Sequence, residues 1–165
     1  MSKTLSFKQF SEYLNNIAPH VEEETTKAIE LCCQKVRSDI QDSMAKTERN
    51  MDKSYYTHNK TTPHHPSLPG NPPAPDTGNL RNSIRYEIHA EPRSPYGVVG
   101  TTQKDPPYGQ YLEYGTSKVA PRPWLRPAME KNNEWIRQSI AKAVGRGLKG
   151  GSEKWLMQKN FIIRF

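Results

Sequence analysis

Proline placement limits this chain more tightly than any other feature. Six of its 14 prolines (Pro63, Pro66, Pro69, Pro72, Pro73 and Pro75) fall between residues 63 and 75. Each lacks a backbone N–H donor and has a fixed φ, so residues 51–75 can hold neither a helix nor a central strand. That stretch, which also contains His58, His64 and His65, reads as a Pro/His-rich linker or long loop. Long regular elements must therefore lie before or after it.

Before it, helical spacing dominates. Ser6 can cap a short helix whose one face holds Phe7, Phe10, Leu14 and Ile17. Pro19 suits the first turn of a second helix, and Glu22, Glu23 and Glu24 favour that helix's positive end. Ile29, Cys33, Val36, Ile40 and Met44 then advance by threes and fours, predicting one amphipathic helix with a single apolar stripe. Cys32 and Cys33 are neighbours and read as small apolar residues beside that stripe, not as a disulfide or a metal pair.

After the proline stretch the pattern shortens. Asp76 or Thr77 can cap a helix over Asn79–Ser83. Ile84, Tyr86, Ile88 and Ala90 alternate with Arg85, Glu87 and His89, predicting a half-buried strand. A turn at 91–95 leads to a second strand over 96–102, then a polar loop at 104–107. Tyr108, Tyr111 and Leu112 predict a short helix stopped by Gly115. Pro127 opens a last helix expected to end at Gly145, burying Ala128, Met129, Asn132, Trp135, Ile136, Ile140 and Ala143 or Val144. Gly145, Gly147, Gly150 and Gly151 read as a hinge to an apolar tail, Trp155–Met157 and Phe161–Phe165, that packs back or inserts into a neighbour.

The expected fold is α+β: a long N-terminal amphipathic helix and a C-terminal helix packed on a small antiparallel sheet, with a Pro-rich loop. The expected organisation is a single domain over residues 1–145 and a Gly-hinged tail over 146–165. With 165 residues and 33% hydrophobic content, the core is modest and its burial is expected to be completed by partner chains. No apolar run approaches the roughly 18 residues of a membrane span, and Met1–Leu5 leads into polar residues rather than a secretory signal. The expectation is a soluble protein with no membrane partner.

Charge is uneven. The chain carries a formal +7, and residues 121–165 hold 10 basic against 3 acidic side chains, which accounts for all of it. Such a region can face nucleic acid, an acidic protein surface or only water. Chemistry is sparse: there is no phosphate-binding glycine loop, HExxH motif or nucleophile elbow, and the histidines lack a partner at ligand spacing. Neither an enzyme nor a cofactor or metal is expected.

Three segments in fixed order then carry a resemblance. They are Pro72–Ile84 with Thr77-Gly78-Asn79-Leu80-Arg81-Asn82-Ser83-Ile84, then Tyr111-Leu112-Glu113-Tyr114-Gly115-Thr116, then Pro121-Arg122-Pro123-Trp124-Leu125-Arg126-Pro127-Ala128. Together they resemble the neck proteins of long-tailed bacteriophages, the tail-completion or head–tail joining family, in which Phe is usual where Trp124 stands here. The match spans roughly residues 72–145.

The resemblance implies a non-enzymatic structural protein of the virion neck, assembled in the host bacterial cytoplasm. It implies a homo-oligomeric ring of about six copies around the DNA channel, between head-side connector and tail tube or tail-terminator proteins. Residues then expected at contacts are Trp124, Arg122, Arg126, Tyr111, Glu113, Trp155, Phe161 and Phe165, while Asp76, Thr77, Gly78 and Gly115 shape turns and caps. The basic C-terminal region would meet DNA in the channel or an acidic neck protein. A head-closure or tail-terminator role is the nearest alternative, and a basic nucleic-acid-binding accessory protein is the alternative of another class.

Overall fold

The structure, a computed structural model, describes residues 6–54, 63–102 and 108–158. His58, the 104–107 loop, Phe161 and Phe165 lie outside the described residues, and for Trp155 only the backbone is described. The element order is α1 (Phe7–Lys46), α2 (Asn79–Ser83), β1 (Ile84–His89), β2 (Tyr96–Thr101), α3 (Tyr108–Tyr114) and α4 (Arg126–Gln158). Two long helices and one two-stranded antiparallel sheet make the fold α+β. Among the described residues, no helix is long and apolar enough to cross a membrane.

The chain divides into two compact units. The first contains the described parts of Met1–Cys32, Ile88–Gly97 and Glu134–Phe165; the second contains those of Cys33–Glu87 and Val98–Asn133.

In the first unit the early part of α1 packs antiparallel to the late part of α4. The expected break before Pro19 does not occur: α1 is one helix of 40 residues with Pro19 inside it. A proline costs one hydrogen bond and crowds the preceding turn. Here the flanking turns are held by one neighbour, because Ile17 lies against Gly151 and Val21 against Gly147. Of the predicted early stripe only Ile17 is buried; Phe7 is 88% exposed, and Phe10 and Leu14 are also exposed.

The glycines of α4 correct a second expectation. The helix does not end at Gly145 but runs through all four glycines to Gln158. A Cβ on Gly147 would stand 2.5 Å from the Val21 Cα, and one on Gly151 would stand 2.8 Å from the Ile17 Cα. Glycine is therefore a packing device here: the missing side chains let the helix axes approach. With fully buried Ala143 they form a stripe of small residues four apart. Tyr13 and Ser152 share a 2.8 Å hydrogen bond, and Arg146 pairs with Glu24 at 2.8 Å, flanking the contact on both sides. Met129 and Trp135, expected on the buried side of α4, are exposed instead. The hairpin turn also belongs to this unit. Arg93 has φ 67 and donates its N–H to Glu22 Oε1 at 3.0 Å, and His89 stacks on Tyr96.

In the second unit the late part of α1 supplies the core stripe. Cys33, Val36, Ile40 and Met44 are buried there, as are Leu80 and Ile84. Gln41 and Arg81 exchange side-chain to backbone hydrogen bonds, fixing α2 against α1. Asp39 accepts from the Asn132 amide at 2.7 Å and pairs with Lys35 at 3.1 Å and Lys131 at 3.8 Å. Burial pushes the Asp39 carboxyl up, but Asn132 and the two lysines outweigh it and hold the group below its ordinary value.

The described part of the proline segment, residues 63–75, is a loop fastened to its unit. Its prolines cannot donate, but their carbonyls accept: Pro66 from Asn50 N, Pro72 from Thr47 Oγ1 and Pro75 from the Arg49 guanidinium. Buried His64 lies 3.8 Å from Asp76, closing the segment on itself. Residues 63–75 are thus a strap fastened to the chain that leaves α1.

Two outcomes follow from this packing. Gly145→Ala and Gly150→Ala meet nothing within 4 Å and should each raise stability by about 0.5–1 kcal/mol, as removing a helical glycine does. Gly147→Ala should lower it by about 1–3 kcal/mol through overpacking, so urea midpoints of the three variants must move in opposite directions. The second outcome concerns acid. Because the folded value of Asp39 is depressed, its contribution is present above the unfolded value near 3.8 and lost as pH falls through the folded value. Asp39→Asn should therefore flatten the acid limb of a stability-against-pH profile; an unchanged limb would refute the assignment.

Candidate functional site

The three motif segments meet within the second unit. α3 ends at Tyr114, and Gly115 turns the chain at φ 77, its N–H donating to the Tyr111 carbonyl. This position requires glycine twice over, since a Cβ would also stand 2.9 Å from the Val119 carbonyl oxygen and 3.0 Å from Pro121. Thr116 closes the loop that follows: its N–H donates to the Val119 carbonyl, and its hydroxyl accepts from the N–H groups of Lys118 and Val119. The chain thereby returns to α3, where the Arg122 N–H donates to the Leu112 carbonyl at 2.6 Å.

Glu113 then caps α4. Its Oε2 accepts the Trp124 and Leu125 N–H groups at 2.7 and 2.9 Å, and its Oε1 accepts that of Arg126 at 3.0 Å. Those donors sit at the start of a helix, where backbone N–H groups lack intrahelical partners and a carboxylate is favoured by the dipole. Trp124, 4% exposed, donates its indole N–H to the Gly109 carbonyl at 2.9 Å. A Cβ on Gly109 would meet Thr101, Leu80 and Trp124, so that glycine, two residues ahead of the second segment, lies between Leu80 of the first and Trp124 of the third. Ser83 completes the joint through a 2.6 Å hydroxyl contact with Thr101.

The expected site residues therefore separate. Trp124 and Glu113, anticipated at subunit contacts, are used inside the chain, one as a buried anchor and the other as a helix cap. Arg122 also works internally, donating to the carbonyls of Ser67 and Ala120 and so joining the proline strap to this region. Tyr111 and Arg126 are exposed, and among the described residues Arg126 pairs with Glu130 on its own helix face. Tyr108 and Tyr114 share the α3 surface with Tyr111, and Tyr114 is 75% exposed. The Trp155 side chain, Phe161 and Phe165 lie outside what the structure describes.

The turn residues separate as well. Gly78, at φ 80, occupies the N-cap of α2 without a side-chain cap. Thr77 supports it one step earlier, accepting the Asn79 N–H at 3.3 Å, whereas Asp76 pairs with His64 instead of capping. Gly109 and the Asp39–Asn132 pair were not singled out by sequence; a glycine inside a short helix was the one available signal. Among the described residues, no group of three or more His, Cys, Asp or Glu is placed to hold a metal ion. Comparison with protein-family models, with curated proteins and with solved structures finds no match to this chain.

The cap is measurable. Glu113→Ala strips the acceptor from three backbone donors and should cost about 1–3 kcal/mol, with faster amide exchange at residues 124–126. Glu113→Gln keeps an acceptor but loses the charge, so its cost should be smaller, about 0.3–1 kcal/mol. Equal costs for the two would show that the cap does not act through its hydrogen bonds.

Proposed function

We propose that this protein is a structural component of a long-tailed phage neck, completing the tail and joining it to the DNA-filled head as a ring around the DNA channel. The observation that carries the reading is the joint just described. Three motifs that resemble the neck family, dispersed over residues 72–128, meet in one hydrogen-bonded and packed region, the second and third directly and the first through Gly109 and Thr101, instead of serving three unrelated loops. Motifs held together in that way are what a family-wide fold determinant would look like. The network consumes Trp124 and Glu113, so subunit contacts fall to what remains outside it.

That remainder is a tyrosine face on α3 with Arg126 beside the start of α4 in sequence. Tyrosine and arginine are the side chains that most often dominate protein interfaces. The basic residues of 121–165 then meet either channel DNA or the acidic surface of an adjoining neck protein. The role is non-enzymatic, and its site of action is the virion.

Light scattering of the purified chain, followed by negative-stain imaging, tests the proposal. The expected species is a ring of about six subunits. Replacing Tyr111 and Tyr114 by Ala, or Arg126 by Glu, should dissociate it without lowering the unfolding midpoint; Trp124→Ala should lower the midpoint first. A chain that stays monomeric, ignores connectors and tails, and binds DNA with steep salt dependence would favour a nucleic-acid-binding accessory protein instead.

A further inference from the structure

The second unit holds a cleft of about 700 Å³ between the proline strap and the loop that follows α3. Its size falls in the roughly 300–1,000 Å³ range of small-ligand sites. Among the described residues, three cationic side chains line it: Lys53, Lys118 and Arg122. None of the described lining residues is acidic. Among the described residues no carboxylate pairs with any of those three cations, and Arg122 donates only to carbonyls. Asp76 stands 3.8 Å from the lining residue His64, and its charge also reaches Tyr108 in the same wall, so it offsets only part of the cationic lining. Ser67, also in the wall and 1% exposed, has a hydroxyl with no hydrogen-bond partner. The rest of the wall is largely apolar, with Pro66, Pro69, Pro73 and Leu112.

A positive recess with apolar sides selects an anion on an apolar support. We infer that the cleft receives a glutamate or aspartate side chain presented on an extended segment of a partner protein. A carboxylate on a short flexible stem can enter between proline rings while its flanking residues lie along them. A phosphate of duplex DNA cannot do so, because its neighbouring sugars on a stiff helix would have to enter the same recess. The inference rests on the lining and not on the ring, so it stands or falls separately from the neck reading.

The test is nuclear magnetic resonance titration of the full chain with the peptide acetyl-Ala-Pro-Glu-Pro-Ala-amide. Parallel titrations use its Gln counterpart, inorganic phosphate and a short oligothymidylate. The Glu peptide should shift the His64 ring and Ser67 amide signals with a dissociation constant on the order of 1 mM or tighter. Binding should weaken about tenfold or more in the Gln peptide and in the Lys53→Ala, Lys118→Ala double variant, and should fall with salt. Both lysines are exposed, so the double variant should keep the wild-type unfolding midpoint. Equal binding of the Glu and Gln peptides, or no shift at about 10 mM, would overturn the inference. So would tighter binding of phosphate or oligothymidylate at the same signals, which would assign the cleft to a free anion or to nucleic acid.

Discussion

The carboxylate of Glu113 is the hinge of the second unit's chemistry. One side chain meets three backbone donors at the head of a 33-residue helix, and no residue next to that helix start does so. The geometry depends on Gly115, since only a left-handed turn with no Cβ lets the chain double back from α3 to Arg122 within so few residues. It depends also on Trp124, whose burial and indole hydrogen bond fix the backbone that Glu113 must reach. Remove the carboxylate and α4 begins with unmet N–H groups beside a half-buried surface, a cost comparable with that of losing a helix cap.

The prolines fit the same logic. A segment poor in backbone donors is usually left to water, yet here its carbonyls are matched to donors from the chain leaving α1 and from Arg122, and Gly70 donates to the Pro121 carbonyl. Proline also loses little conformational freedom on folding, so fastening such a strap costs less entropy than fastening a flexible loop. The result is a rigid wall beside the α3 loop, and the cationic cleft lies against it. Function proposed for that cleft and for the tyrosine face draws on side chains that the Glu113–Trp124 joint does not consume.

Local patterns were legible where local physics decides. The threefold and fourfold spacing of Ile29, Cys33, Val36, Ile40 and Met44 marked residues that are all buried, and the alternation through Ile84, Tyr86 and Ile88 marked a strand. The limits of α2 and α3 also followed from their glycines and periodicity. The glycine run of α4 was misread because propensity treats glycine as a helix breaker, whereas Gly147 and Gly151 are where another backbone comes within contact. The internal role of Trp124 was hidden for a similar reason. A tryptophan among prolines looks like an anchor for another chain, and nothing local reveals that Gly109 and Glu113 already enclose it.

Sequence alone determined the α+β class, the two helical ends, the hairpin between them and the concentration of positive charge in residues 121–165. These follow from periodicity, proline chemistry and charge counting, all of which act over a few neighbouring residues. Tertiary structure decided that α1 continues through Pro19, that the glycines are contacts and not a hinge, that the proline segment is a strap, and that Glu113 is a cap. Each of those turns on a partner far along the chain, from eleven residues between Glu113 and Trp124 to 139 between Tyr13 and Ser152. No local pattern encodes such a partner, because the contact exists only once the backbone has folded back on itself.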